Sequence, residues 1–328
     1  MTVQVSVIGL GQIGTSIGLA LAKQKAQITR VGLDREADTA RKAEKMGAFD
    51  RIAPNLRSAV ENADIVVLAV PVDEIRETFQ SIASHLKEEC VLLDTSPLKV
   101  AVAAWAKETL PPKRYFVSIT PSLNPLYLDI LDNGPDSAHE DLFQNSLMVV
   151  THPSETPADA IQLACDLVTL LGATLLFADV YESDGLQAAQ HQLPRLVSAA
   201  LLNATTTQPG WKEGRKLAGA LFARVTSAAD TFDERELLGQ AAELNHDNVV
   251  RVIDNLVEAL QELRQAIADE DSQALQKLLV QARDSRIDWI GQRSTARWDT
   301  NFAQVSMPSA LERLGRLVGL HDRTKNRK

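Results

Sequence analysis

Three glycines near the N-terminus have the spacing that binding of a nucleotide phosphate requires. They lie in the run Gly9-Leu10-Gly11-Gln12-Ile13-Gly14, which follows an apolar strand pattern and opens a helix rich in Ala, Leu and Ile. Gly9 permits a tight turn, Gly11 lets the backbone approach a pyrophosphate, and Gly14 lets the helix pack against the strand. The N–H groups of the first helical turn, at Gln12 and Ile13, then point at the phosphates. This pattern predicts a dinucleotide site.

An acidic residue follows at the distance that a ribose contact needs. Asp34 closes the second predicted strand, and its carboxylate can accept hydrogen bonds from the adenosine ribose hydroxyls while repelling a 2′-phosphate. A solvated Asp at a strand end is the alternative. Arg35 beside it leaves room for NADP. We predict NAD as the cofactor and NADP as the less favoured one.

The same loop contains the pattern of a serine hydrolase, which its context argues against. Gly14-Thr15-Ser16-Ile17-Gly18 matches G-x-S-x-G. A nucleophile elbow places its serine on the sharp turn directly after a strand, whereas Ser16 lies beyond the glycine loop in the first turns of a helix. We therefore predict no hydrolase site.

Seven short apolar runs in the first half of the chain are typical of buried strands. They are apolar at nearly every position, as strands covered on both faces require, and helical patterns separate them. We predict a doubly wound, largely parallel α/β sheet of the Rossmann type. The runs are Gln4–Ile8, Thr29–Leu33, Ile65–Val70, Val91–Leu93, Tyr115–Ile119, Leu147–Val150 and Thr174–Phe177.

After Asp179 the pattern becomes helical. An apolar stripe spaced by three and four predicts a helix of about 25 residues; its members are Val249, Val252, Leu256, Leu260, Leu263 and Ile267. Further helical patterns cover Ala188–Asn203, Glu236–Asn245 and Ser272–Arg283. The change of pattern predicts a dinucleotide-binding domain over residues 1–179 and an all-helical dimerisation domain over residues 180–328. One small domain cannot cover such a stripe, so we predict that the helical domain forms a homodimer.

Composition excludes several classes of protein. The 328 residues carry 34 Lys and Arg against 43 Asp and Glu, a net charge of −9, which disfavours broad binding to nucleic acid or anionic lipid. No apolar run approaches the ~20 residues of a membrane helix, and the first strand pattern begins directly after Met1. Cys90 and Cys165 lie in apolar surroundings without metal-ligand spacing. We expect a cytoplasmic protein with reduced cysteines and no metal site.

Several blocks, taken in order, resemble the prephenate/arogenate dehydrogenase family of tyrosine biosynthesis. The resemblance covers about residues 4 to 290, and its later blocks are more specific than the glycine loop. The matching stretches are Val7–Gly11, Asp64–Pro71, Leu93–Lys99, Phe116–Pro121, Leu171–Ala173, Ser183–Pro194 and Glu236–Asn245.

The resemblance implies an oxidoreductase that acts on a small anionic cyclohexadienol. Hydride moves from the carbinol carbon to the nicotinamide while CO₂ leaves and the ring becomes aromatic. Such an enzyme must orient the substrate, polarise or deprotonate its hydroxyl, and hold its carboxylates with cations. The resemblance also implies that Val70, Pro71 and Ser96 line the cofactor.

The sequence departs from the family at its proton-handling positions. Thr120 stands where the family has a hydroxyl-binding His, and Pro97 stands at the family's Ser. In the block His191-Gln192-Leu193-Pro194-Arg195, Gln192 and Arg195 occupy the two family His positions. A Thr hydroxyl can hydrogen-bond a substrate but accepts no proton near pH 7. We therefore expect His191 to act as the base and Arg195 to clamp a carboxylate.

Two further cations are weaker candidates. Lys99, after a strand-end motif, could reach the cofactor cleft and act as a second-choice acid/base; a structural Lys is the alternative. Arg224 stands roughly where the family has a carboxylate-binding Arg. Two other functions remain open: a catalytically altered NAD-binding dimer that serves as a sensor or partner subunit, and a β-hydroxyacid dehydrogenase that uses Lys99.

Overall fold

The chain forms two compact units, which we describe separately. The computed structural model describes residues 2–24, 27–130, 132–231 and 237–296. One unit comprises the chain up to Val180, and the other comprises Tyr181–Thr295. The domain boundary predicted at residue 179 falls one residue before this division.

The first unit is built on one eight-stranded sheet with the order β3-β2-β1-β4-β5-β6-β7-β8. All neighbouring strands are parallel except β6 and β7, which are antiparallel. The predicted doubly wound, largely parallel sheet is confirmed. The strands are β1 (Val3–Ile8), β2 (Ile28–Leu33), β3 (Arg51–Ile52), β4 (Ile65–Leu68), β5 (Val91–Asp94), β6 (Tyr115–Pro121), β7 (Leu147–Thr151) and β8 (Thr174–Phe177).

Crossover helices cover the sheet and account for the apolar runs. The side chains of β4 and β5 are buried along their whole length, because helices lie on both faces. The helices of this unit are α1 (Gln12–Ala20), α2 (Ala37–Lys45), α3 (Leu56–Val60), α4 (Val72–Ile82), α5 (Val100–Thr109) and α6 (Ala158–Leu170).

The chain order of the strands reverses between β1 and β4. In an open parallel sheet the loops after the strands separate at this switch point and leave a crevice that ligands occupy. The glycine loop follows β1 there, and an irregular excursion between β6 and β7 contributes residues 132–140 close to it. This excursion contains only two short 3₁₀ turns among its described residues, Pro125–Tyr127 and Pro135–Ser137.

The second unit is helical, as predicted. A π-helical turn over Ala188–Gln192 connects its first two helices. The helices are α7 (Val180–Gln187), α8 (Leu193–Thr206), α9 (Trp211–Gly214), α10 (Ala220–Thr226), α11 (Leu237–Leu244), α12 (His246–Ala268) and α13 (Ser272–Thr295). Glu236 and the C-terminal tail His321–Lys328, which we expected to be frayed, lie outside the described residues.

The predicted apolar stripe runs along α12, and only part of it is covered within the unit. Val249 and Val252 are buried against α8 and its neighbours, whereas the side chains of Leu260 and Ile267 are 55% and 61% exposed. No helix among the described residues has both the length and the apolar character needed to cross a membrane.

Candidate functional site

The glycine loop after β1 has a geometry that only glycine fits at two positions. Gly9 adopts φ +89°, and a Cβ there would lie 2.4 Å from the Ala69 carbonyl oxygen. A Cβ at Gly14 would lie 1.9 Å from the Gly9 carbonyl oxygen. Side chains are therefore excluded where the helix packs on the strand, and the loop carries no side chain at these two positions. This is the cradle that a pyrophosphate needs.

The Asp34 carboxylate accepts hydrogen bonds from two backbone N–H groups, one of which belongs to this loop. Its Oδ2 accepts a hydrogen bond from the Leu10 N–H at 2.7 Å, and its Oδ1 accepts one from the Glu36 N–H at 2.8 Å. The charge is thus held at the carboxyl end of β2, beside the glycine loop. Val70, after β4, packs against Gly9, and Pro71 is exposed where α4 begins.

Arg35, which the sequence left available for a 2′-phosphate, is engaged with acidic partners. Its guanidinium pairs with the carboxylate of Glu74 in the first turn of α4, and Nε lies 3.6 Å from Glu36 Oε1. Half of the Arg35 side chain is exposed. The positive charge of Arg35 is therefore balanced by the carboxylates of Glu36 and Glu74.

The excursion after β6 contacts the glycine loop, which sequence reasoning missed. The Asn133 carbonyl accepts a hydrogen bond from the Gln12 N–H at 2.7 Å. The Gln12 side chain donates to the Ser137 carbonyl at 3.0 Å. No local sequence signal reveals these contacts, because the partners are separated by more than a hundred residues.

A buried polar cluster joins the ends of β5 and β6. Asp94 is completely buried and accepts hydrogen bonds from the Ser96 N–H (3.0 Å), the Ser96 hydroxyl (2.6 Å) and the Ser118 hydroxyl. The Lys99 ammonium lies 3.3 Å from Asp94 Oδ2 and donates to the Ser96 and Ile119 carbonyls. Thr120, also buried, donates to the Ser96 carbonyl at 3.4 Å.

This cluster changes the expectation for Lys99. The sequence left two roles open for its amine, in the cofactor cleft or in the structure, and its side chain is fully buried in an ion pair with Asp94. Burial explains the pairing, since an isolated charge in the interior is costly. The structure thus has the geometry of the alternative, a structural lysine, and it places Ser96, Lys99 and Thr120 in one hydrogen-bonded cluster.

In the second unit His191 and Arg195 lie in contact. One terminal guanidinium nitrogen of Arg195 is 3.1 Å from Nε2 and 3.2 Å from Nδ1 of His191. Burial, followed by the positive charge of Arg195, lowers the pKa of His191 to about 4. This pKa lies well below that of an ordinary imidazole, which is near 6.5. His191 is neutral at pH 7, and burial also lowers the pKa of Arg195.

Neighbouring positions have structural partners of their own. The fully buried Gln192, at one of the family's His positions, donates to the Ala241 carbonyl at 2.8 Å and accepts from the Asn245 amide at 2.8 Å. The π-helical turn brings Gln192 to this network, which sequence reasoning did not identify. Arg224 is exposed on α10.

Both cysteines lie in the interior of the first unit. Cys90 and Cys165 are buried and free, and burial raises the pKa of their thiols to about 12 and about 11, so both are protonated at neutral pH. Within residues 2–24, 27–130, 132–231 and 237–296, no group of three His, Cys, Asp or Glu side chains could hold a metal ion.

The sheet order and the glycine loop at the switch point define the class of the protein as one with a Rossmann-type dinucleotide-binding domain. Residues 17–177 match the family model of the prephenate dehydrogenase nucleotide-binding domain. A cyclohexadienyl dehydrogenase from Zymomonas mobilis is 27% identical over 287 residues, which cover 86% of this chain and 94% of that protein. A prephenate dehydrogenase from Bacillus subtilis is 26% identical, with coverage of 85% and 74%.

Solved structures have the same fold. A prephenate dehydrogenase from A. aeolicus in complex with hydroxyphenyl propionate and NAD⁺ aligns with a TM-score of 0.76 at 20% identity, covering 88% of this chain and 98% of that one. Synechocystis arogenate dehydrogenase aligns with a TM-score of 0.69 at 24% identity, covering 87% and 99%.

The chain is thus similar to prephenate and cyclohexadienyl dehydrogenases over most of its length, and its nucleotide-binding region matches the family model. The predicted resemblance, the α/β fold followed by a helical region, and an NAD-dependent dehydrogenase are thereby confirmed. The matches do not favour an inactive NAD-binding dimer or a β-hydroxyacid dehydrogenase, the two alternatives considered from sequence.

Proposed function

We propose that the protein oxidises a small anionic cyclohexadienol of the prephenate or arogenate type. A hydride leaves the carbinol carbon for NAD⁺, the bond to the ring carboxylate breaks to release CO₂, and its electron pair makes the ring aromatic. The observation that carries this proposal is the Asp34 carboxylate, which a backbone hydrogen bond holds beside a loop that excludes a Cβ at Gly9 and Gly14. The relatives of the chain are named prephenate and cyclohexadienyl dehydrogenases.

Binding of the dinucleotide is assigned to the first unit. Gly9, Gly11 and Gly14 form the loop that binds the pyrophosphate, the Asp34 carboxylate accepts from the ribose hydroxyls, and Val70 and Pro71 line the loop beyond β4. When bound, NAD⁺ supplies the hydride acceptor. Two features favour NAD over NADP. The Asp34 carboxylate repels a 2′-phosphate, and the positive charge of Arg35 is paired with the Glu74 carboxylate.

We assign positioning to the buried cluster rather than proton transfer. Lys99 and Asp94 hold the Ser96 backbone, and the Ser96 carbonyl in turn accepts from Thr120. Thr120 is then the residue of this cluster that hydrogen-bonds the substrate hydroxyl, in keeping with its place at the family's His position.

His191 and Arg195 are assigned to the substrate. Arg195 remains charged at neutral pH and binds a carboxylate, and the neutral His191 imidazole can accept a proton from the carbinol hydroxyl. A base with a pKa near 4 is weak on its own. Burial is the larger cause of this low pKa and the positive charge of Arg195 is the smaller one. A bound substrate carboxylate beside Arg195 offsets only that charge, so substrate binding raises the pKa of His191 in part.

The assembly, the domain boundary and the location in the cell also belong to this proposal. We propose a homodimer formed through the C-terminal helical domain, because the apolar side chains of Leu260 and Ile267 are exposed on α12. The division at residue 179 and a cytoplasmic location complete it. Two free, buried cysteines are consistent with that compartment.

A spectrophotometric screen tests the reaction. Prephenate, arogenate and short hydroxy acids are each mixed with NAD⁺ or NADP⁺, and the formation of NADH or NADPH is followed. We expect turnover with a cyclohexadienol and NAD⁺. Arg195→Ala should mainly raise KM, whereas His191→Ala should lower kcat by about 100-fold with little change in NAD⁺ affinity. Turnover confined to short hydroxy acids would contradict the proposal.

Asp34→Ala tests the cofactor assignment separately. Loss of the carboxylate should weaken NAD⁺ binding by about tenfold, the value of one charge-assisted hydrogen bond, and weaken NADP⁺ binding less. Calorimetry measures both constants. Equal loss for both cofactors, or tighter NADP⁺ binding by the wild type, would show that Asp34 is not the ribose ligand.

A further inference from the structure

Residues 132–139, which we name the cap segment, lie on the start of α1. Three hydrogen bonds attach them there. The Gln12 N–H donates to the Asn133 carbonyl at 2.7 Å, the Gln12 side chain donates to the Ser137 carbonyl at 3.0 Å, and the His139 N–H donates to the Ser16 hydroxyl at 3.0 Å. The cap segment thus contacts both the backbone and the side chains of the first helical turns.

One of these bonds uses a donor that the cofactor needs. The N–H groups at the start of the helix after a glycine loop are the donors for a pyrophosphate, and Gln12 is the first residue of α1. The Asn133 carbonyl oxygen also lies 2.8 Å from the position of a Cβ on Gly11. Gly11 is the glycine whose bare face lets a pyrophosphate approach. Asn133 therefore covers the same backbone surface.

The cap segment has a defined shape and an outer anchor. The Asp132 carboxylate accepts from the Gly134 N–H at 3.0 Å and from the Ser137 hydroxyl at 2.9 Å, and these bonds lower the pKa of Asp132. Lys42 on α2 lies 2.5 Å from the Asp136 carboxylate. At the end of the segment, the ring of His139 stacks on Tyr127 with centroids 4.1 Å apart.

We propose that Asn133 is an affinity-determining residue of the cofactor site, whose carbonyl holds the place of a pyrophosphate oxygen until NAD⁺ binds. This rests on the proposed use of the glycine loop for NAD⁺. The carbonyl and the pyrophosphate are both hydrogen-bond acceptors directed at one N–H, so binding requires the cap segment to move from Gln12. The apparent affinity is then the intrinsic affinity reduced by the fraction of molecules in which the segment has moved away.

A cross-link that holds the segment in place tests this. Lys42→Cys and Asp136→Cys are combined and joined with a short bismaleimide; the two native cysteines are buried, so they react little. NAD⁺ affinity is measured by calorimetry before and after cross-linking. We expect at least about a tenfold loss of affinity in the cross-linked protein. Each single cysteine variant, treated with the same reagent, should retain its affinity.

If the cross-linked protein binds NAD⁺ as tightly as the untreated double variant, the cap segment does not cover the site. If no variant and no wild-type protein binds NAD⁺, the proposed function fails. In that case amide hydrogen exchange, measured with and without inorganic pyrophosphate, tests whether the cap segment moves away from the glycine loop. Exchange of the His139 amide, which the Ser16 hydroxyl protects, should become several-fold faster when pyrophosphate is added. An unchanged exchange rate would remove the inference.

Discussion

The two units treat their apolar residues differently. In the first unit the strands are buried on both faces, and the sheet and its helices form one continuous core. In the second unit the long helices α12 and α13 carry apolar residues that stay exposed, among them Leu260, Ile267 and Ile287. A doubly wound sheet completes its own core, whereas a set of long helices depends on another surface.

The chemistry is divided in a corresponding way. The glycine loop offers backbone groups, whose positions follow from the strand, the turn and the helix. The candidate substrate residues of the second unit are side chains, whose properties depend on neighbours such as the guanidinium of Arg195. A site built from backbone groups can thus be predicted from the sequence, whereas the properties of a site built from side chains can be predicted only in part.

The largest expected effect comes from adding one carbon atom to the glycine loop. Gly14→Ala places a Cβ 1.9 Å from the Gly9 carbonyl oxygen, so α1 must move away from β1. We expect NAD⁺ affinity to fall by at least about 100-fold, which is about 2.7 kcal/mol. Calorimetry and thermal unfolding measure the two consequences.

A glycine of the second unit provides the control for this variant. A Cβ at Gly239, on α11, meets no atom within 4 Å. Gly239→Ala should leave NAD⁺ affinity unchanged and raise the free energy of unfolding by about 0.5–1 kcal/mol. If Gly14→Ala and Gly239→Ala lost comparable NAD⁺ affinity, the assignment of NAD⁺ binding to the glycine loop of the first unit would be contradicted.

Breaking the buried ion pair should have the next largest effect. Lys99→Met leaves the Asp94 carboxylate buried without its cation, and we expect the free energy of unfolding to fall by about 3–5 kcal/mol. Lys113→Met, which removes an exposed pair with Glu88, should change it by less than about 1 kcal/mol. Urea unfolding measures both. A stable Lys99→Met protein without turnover would restore the acid/base role for Lys99.

The exposed stripe of α12 predicts an assembly that one charge can disrupt. Leu260→Asp places a carboxylate among the apolar side chains that a dimer buries, so we expect monomers of 35.8 kDa where the wild type has twice that mass. Glu258→Ala, on the opposite side of the helix, should leave the dimer intact. Light scattering at micromolar concentration measures the masses, and a monomeric wild type would contradict the homodimer.

The smallest expected effect concerns the titration of His191. Its pKa is about 4 in the folded chain and near 6.5 in the unfolded one, so the unfolded chain binds the proton more tightly between these values. The His191 contribution to stability is therefore present above pH 6.5 and is lost as the pH falls toward 4. Arg195→Ala should raise the pKa only in part, because burial is the larger cause. NMR titration of the ring gives the value directly, and a wild-type pKa near 6.5 would contradict the burial of His191 beside Arg195.

Much of the first unit could be predicted because its signals are local. Seven of the eight strands coincide with apolar runs in the sequence. The exception is β3, whose two residues Arg51 and Ile52 pair with β2 without an apolar run. Arg30 shows a different limit. It lies in the middle of β2 and is 1% exposed because Asp50 and three backbone carbonyls hold its guanidinium, none of which the strand pattern indicates.

The sequence by itself determined the glycine loop, Asp34, the sheet and the long helix of α12, because each depends on residue types at short spacing. Only the tertiary structure decided that Lys99 is buried with Asp94, that Gln192 contacts Asn245, that Asn133 covers Gln12, and that His191 has a low pKa. These four properties depend on burial or on partners brought together by folding. Solvation and distance, unlike spacing along the chain, are set only by the folded chain.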